Sequence, residues 1–126
     1  MSQFSITNTV KNYPTHPYQA IKEAILGKHY QLSLVFVGPT RAQTLNQTYR
    51  HKSYTPNVLS FPLTADAGEI YICPQVAARE ASDYQLSVSG YTAFLFIHGL
   101  LHLKGYEHGA TMERAEKKYM KRFAIT

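Results

Sequence analysis

Apolar and polar positions alternate along this chain in two different periods, and the period changes mark its elements. The stretch "QFSITNTV" (3–10) sets Phe4 and Ile6 against polar neighbours, the two-residue period of an edge strand. "HPYQAIKEAILG" (16–27) opens with Pro17 where a first helical turn begins and closes on Gly27, so it predicts a helix. "QLSLVFV" (31–37) becomes apolar on both alternating faces, as a central strand does. Gly38-Pro39 turns the chain, and Thr40 is a candidate cap for a helix running to Arg50. "NVLSFP" (57–62) and "EIYIC" (69–73) read as two short strands, and Pro74 then opens a helix through "PQVAAREASDY". After a loop at "SVSG", an apolar helix is expected from about Tyr91 to Lys104. A last helix begins near Thr111 and is expected to reach the C-terminus. Strands interleaved with helices, followed by helices alone, imply a mixed α/β or α+β sandwich with helices on a small sheet.

Composition narrows this picture without deciding it. The 126 residues, 44% of them hydrophobic and 17% charged, suit one globular domain spanning 1–126. The longest apolar run, Ala93 to Leu103, is too short and too polar to cross a bilayer. No basic segment followed by an apolar block opens the chain, so no signal peptide and no membrane association are expected. Cys73 is the only cysteine and is expected to be a buried small hydrophobe in a reducing, cytoplasmic setting. The net charge of +5 favours polyanionic partners such as nucleic acid, and ten tyrosines include faces on which unpaired bases can stack.

The stretch that carries chemistry is "HGLLHLKGYEH". Three of the six histidines, His98, His102 and His108, fall within it among leucines. On a helix, His98 and His102 project from one face on consecutive turns and can chelate a single ion. Gly105 suits a left-handed helix end, and the reversal brings His108 back towards that face. Three imidazoles with an open fourth position describe a catalytic zinc (Zn2+) site rather than a closed structural one. Three imidazoles also accept nickel, copper or iron. The alternative is that these histidines are core residues satisfied by hydrogen bonds. The metalloprotease pattern H-E-x-x-H needs a glutamate after the first histidine, and this chain has Gly99 there. A Lewis-acid metal on a basic chain suits a phosphodiester, whose developing charge calls for an arginine beside the metal.

"HGLLHLKGYEH" is similar to the H-G-x-L-H-L-x-G-Y-D-H signature of the YbeY family, bacterial metal-dependent endoribonucleases of ribosomal RNA maturation. "LNQTYRHK" (45–52), "NVLSFP", "GEIYIC" and "AAREA" resemble further family segments in the same order. The resemblance implies an α+β sandwich, a small mixed β-sheet packed with helices, and zinc held by His98, His102 and His108, with Arg50 as the catalytically important arginine. It further implies cleavage of single-stranded RNA, maturation of the 16S rRNA 3′ end on the small ribosomal subunit, and ribosome quality control. The chain departs from the family pattern at Phe94, where a further histidine is usual, at the Thr55-Pro56-Asn57 order, and at Glu107 in place of aspartate. Other metal hydrolases, and a ribosome-associated RNA-binding factor with a structural metal, are the competing readings.

Two further features are expectations only. Arg114, Lys117 or Lys118, and Lys121 should form a solvated basic stripe, with Glu113 and Lys117 as an i, i+4 pair. Glu69 and Glu80 are candidate partners for the outer nitrogen of a metal-binding histidine.

Overall fold

In the computed structural model, which describes residues 3–126, the elements follow the order the sequence patterns predict. Strand β1 (Phe4–Asn8) is followed by α1 (Tyr18–Leu26), β2 (Gln31–Phe36), α2 (Pro39–Arg50), β3 (Val58–Thr64) and β4 (Ala67–Ile72). Helix α3 (Pro74–Glu80) runs into a 3-10 turn, Ala81–Tyr84, before α4 (Val88–Lys104) and α5 (Ala110–Arg122). The sheet order is β1-β2-β4-β3. β1 and β4 flank β2 in parallel, and β3 closes the sheet antiparallel to β4. The architecture is α+β, with a mixed sheet and helices against it.

The alternation in β2 divides the core. Leu32, Leu34 and Phe36 face the main cluster, with Ile21 and Ile25 of α1 and Phe96, Leu100 and Leu101 of α4. Val35 and Val37 face the other side, against Ala42 of α2 and the buried Cys73 and Val76. Helix α4 is the central element, packing on α1, α5, β3 and β4. It is apolar almost all round because most of its surface is enclosed. Each fully buried Leu, Ile or Phe contributes about 1.5–3 kcal/mol relative to leaving it exposed, so this helix is anchored firmly. Gly99 sets how closely it lies on the sheet. A Cβ there would stand 2.9 Å from Ser60 Oγ and 3.1 Å from Ile70 Cδ1, and Ser60 Oγ donates to the Gly99 carbonyl at 3.2 Å.

The boundaries differ from expectation at four helices, one being α3, whose expected last turn, Ala81–Tyr84, is 3-10. Helix α4 starts at Val88, not near Tyr91, because Ser87 caps it by accepting the Gly90 N–H at 2.9 Å. The stretch expected as a loop is thus the first helical turn. Helix α2 starts at Pro39, one residue before Thr40. The cap position is Gly38, and the Thr40 side chain makes no capping hydrogen bond. Helix α5 ends at Arg122, short of the C-terminus.

Candidate metal centre

Helix α4 and the turn after it bring the three histidines together. The ring centroids of His98 and His102 lie 4.5 Å apart, and His108 stands 5.1 Å and 4.7 Å from them. One ring nitrogen from each falls within 4.8 Å of the others, close enough to hold a metal ion. His98 and His102 are half-buried and His108 is exposed, so the group opens to solvent on one side.

The return of His108 has a defined backbone cause. Gly105 adopts φ 111°, a left-handed conformation that side chains with a Cβ resist. Its N–H bonds the His102 carbonyl at 3.0 Å, and the Tyr106 N–H bonds the Leu101 carbonyl at 3.0 Å. Together these form a Schellman ending. The same reversal aims the Tyr106 carbonyl back at the site, where it accepts a hydrogen bond from His102 Nδ1 at 3.1 Å.

These bonds set the tautomers. A carbonyl accepts only, so His102 carries its proton on Nδ1. His98 Nδ1 likewise donates to the Glu116 carboxylate at 2.6 Å. In the neutral rings both Nε2 atoms are then unprotonated, yet they face one another at 3.0 Å. Two facing lone pairs repel unless a cation lies between them, so the donor set fits a metal ion. Burial, followed by the neighbouring His98, lowers the His102 pKa from its ordinary value, which favours the neutral, metal-binding imidazole.

Glu116 is the partner that sequence reasoning missed. It lies on α5 and is buried with Met112 and Tyr119 at i−4 and i+3. A carboxylate inside a buried helical stripe was the available signal, because such a group needs a partner. Glu69 and Glu80 do not take that role. Glu80 Oε1 accepts from Tyr91 Oη at 3.0 Å and Asn57 Nδ2 at 3.0 Å. Among the described residues the Glu69 carboxylate accepts only from the Tyr71 hydroxyl, at 3.5 Å. Nor do Glu113 and Lys117 pair; among the described residues the ion pair within 4.0 Å is His98–Glu116. The expected basic stripe of Arg114, Lys117, Lys118 and Lys121 is exposed.

Arg50 lines the same cleft as the histidines, which has a volume of about 730 Å³. It is the last residue of α2, and His51 breaks the helix there with φ 57°. Its Nη1 donates to Asn46 Oδ1 and to the Tyr54 hydroxyl, each at 3.1 Å. Asn46 is fully buried and also donates from Nδ2 to the Tyr54 carbonyl at 3.0 Å. The helix end and the following loop are thus tied to one side chain, and the guanidinium keeps donors free for an anion. The Thr55-Pro56-Asn57 segment continues along this wall, where Pro56 is buried and Asn57 is held by Glu80. Phe94, where the resembled pattern has histidine, also lines the cleft and stacks against aromatic neighbours.

The chain is similar to several known proteins. A relative from Alkaliphilus metalliredigens named endoribonuclease YbeY is 36% identical over 108 residues, covering 77% of this chain and 70% of the relative. Endoribonuclease YbeY of Mesoplasma florum is 39% identical over 98 residues, covering 69% of this chain and 57% of the relative. The matched segment therefore spans little more than half of some curated relatives. A solution structure of a Thermotoga maritima protein superposes with a TM-score of 0.66 at 26% identity, covering 95% of this chain and 88% of that one. The family model described as endoribonuclease YbeY matches residues 2–124, and the chain belongs to that family.

Proposed function

We propose that this chain is a single-domain, zinc-dependent endoribonuclease that cleaves single-stranded RNA, acting in the cytoplasm on the 3′ end of 16S rRNA within the small ribosomal subunit. The observation that carries this reading is the meeting of three imidazoles and Arg50 in one open cleft. No fourth His, Cys, Asp or Glu joins the three-histidine group among the described residues, which favours a site with an open position over a closed structural one.

In this reading His98, His102 and His108 hold the ion. When bound, it supplies Lewis-acid polarisation of the phosphodiester and of water. The protein's own residues do the positioning. Glu116 and the Tyr106 carbonyl lock His98 and His102 in the tautomer that presents Nε2. Arg50 binds the phosphate oxygens as negative charge develops, and Asn46 and Tyr54 hold its side chain so that little reorganisation is needed. Gly99 sits against the sheet, so the general-base glutamate of a metalloprotease has no room at this position.

The test is cleavage of a single-stranded RNA by the purified, metal-loaded protein. Activity should disappear with a chelator and with His102→Ala. A protein that unfolds on chelation and never cuts RNA would instead be a binding factor with a structural metal. Product ends add a mechanistic test: a 2′,3′-cyclic phosphate would mean attack by the substrate's own 2′-hydroxyl rather than by water.

A further inference from the structure

The mechanism leaves one feature of the cleft unused, a group of parallel aromatic rings beside the histidines. Tyr84 lies 4.9 Å from Tyr91 at an interplanar angle of 21°, and 6.2 Å from Phe94 at 30°. Tyr91 and Phe94 are themselves 5.9 Å apart at 14°. Phe94 in turn lies 6.1 Å from the His98 ring. Ring contacts thus lead from Tyr84 to the candidate metal centre.

The inner part of this group is buried and hydrogen-bonded. Tyr91 is 1% exposed, and its hydroxyl is held by Glu80 and Asn57. Tyr84 differs, being 57% exposed although it lines the cleft. It ends the Ala81–Tyr84 turn, which is closed by hydrogen bonds from the Gln85 N–H to the Ser82 carbonyl and from the Leu86 N–H to the Ala81 carbonyl. A ring presented from a closed turn, backed by a fixed second ring and left half uncovered, loses little entropy when another flat group stacks on it. A tyrosine serving only the core would be covered instead.

We propose that Tyr84 is a stacking platform for one unpaired nucleobase of the substrate, beside the phosphate that Arg50 and the metal engage. The proposal rests on the reading of the cleft as an RNA site and names a subsite within it. Every base has a π-face, so the platform tolerates any sequence but requires the base to be unpaired. Duplex RNA keeps its bases stacked within the helix. Selectivity for single strands therefore arises at Tyr84, while the histidines and Arg50 handle the phosphate.

The experiment measures binding of a 2′-O-methyl single strand, and of an abasic strand of equal length, to the metal-loaded full chain, with each strand checked to be intact after the titration. Tyr84→Ala and Tyr84→Leu should bind the base-containing strand roughly 5- to 150-fold more weakly, the range that alanine substitution at a base-stacking aromatic produces. Tyr84→Phe should bind like wild type. The abasic strand should bind wild type and Tyr84→Ala alike, and the salt dependence should not change, because no phosphate contact is lost. Equal binding of the base-containing strand by wild type and both truncations overturns the platform while leaving the RNA reading intact. A wild type that binds neither strand overturns both.

Discussion

His98 Nδ1 and Glu116 Oε2 stand 2.6 Å apart, joining the central helix α4 to α5 across 18 residues of sequence. The carboxylate orients the imidazole and fixes its tautomer, as outer partners of metal-binding histidines do. Glu116→Ala should therefore weaken metal binding by about 10- to 100-fold, measured by competition with a chelator of known affinity. Unchanged affinity would show that the His98 ring is held by packing alone.

Arg50 is hydrogen-bonded to Asn46 and Tyr54 and not to the three histidines, so metal binding and catalysis should separate there. Arg50→Ala should retain full metal content while RNA cleavage falls by about 10²- to 10³-fold, the usual effect of losing one preorganised charge stabiliser. Arg50→Lys should restore only part of that activity, because an ammonium lacks the fork that grips a phosphate at two points. Metal loss in Arg50→Ala would contradict the division of roles.

Gly105 turns the chain that carries His108. An alanine at φ 111° meets the steric penalty of left-handed backbone, of order 1–2 kcal/mol. Gly105→Ala should lower the thermal midpoint and also weaken metal binding, since the Tyr106 carbonyl and His108 both depend on the turn. A stability loss with unchanged metal affinity would show that His108 reaches the site by another constraint.

A Cβ at Gly99 would have to displace the side-chain ends of Ser60 and Ile70. Gly99→Ala should cost about 1–3 kcal/mol, the range for overpacking a close contact, read from chemical denaturation. Gly99→Glu adds a buried carboxylate and should prevent folding rather than create a peptidase. A folded Gly99→Glu protein with protease activity would refute the packing role.

Much of the candidate site was legible because its spacing is local. His98 and His102 share a face through helical periodicity, and Gly105 marks the reversal that returns His108. The partners were not legible. Glu69 and Glu80 were plausible from chemistry, but the pleat and the course of α3 turn them to Tyr71, Tyr91 and Asn57. Glu116 lay hidden in a charged segment and showed itself only as one carboxylate within the buried Met112–Tyr119 stripe. The start of α4 was misread because Ser87 competes with the turn signals of "SVSG", and its cap wins.

Local chemistry along the chain was enough to determine the order of the elements, the packing of helices on a small sheet, the buried α4 and the three clustered imidazoles. Each follows from periods of two or 3.6 residues and from single glycines, prolines and histidines. Only the tertiary structure decided that β1 and β4 flank β2 in parallel, that α5 lays Glu116 against His98, and that Asn46 and Tyr54 hold Arg50 on the wall of the histidine cleft. It alone revealed Tyr84 stacked beside that cleft. These relations join residues far apart in sequence, and they are selected by the packing of whole faces, which no local pattern records.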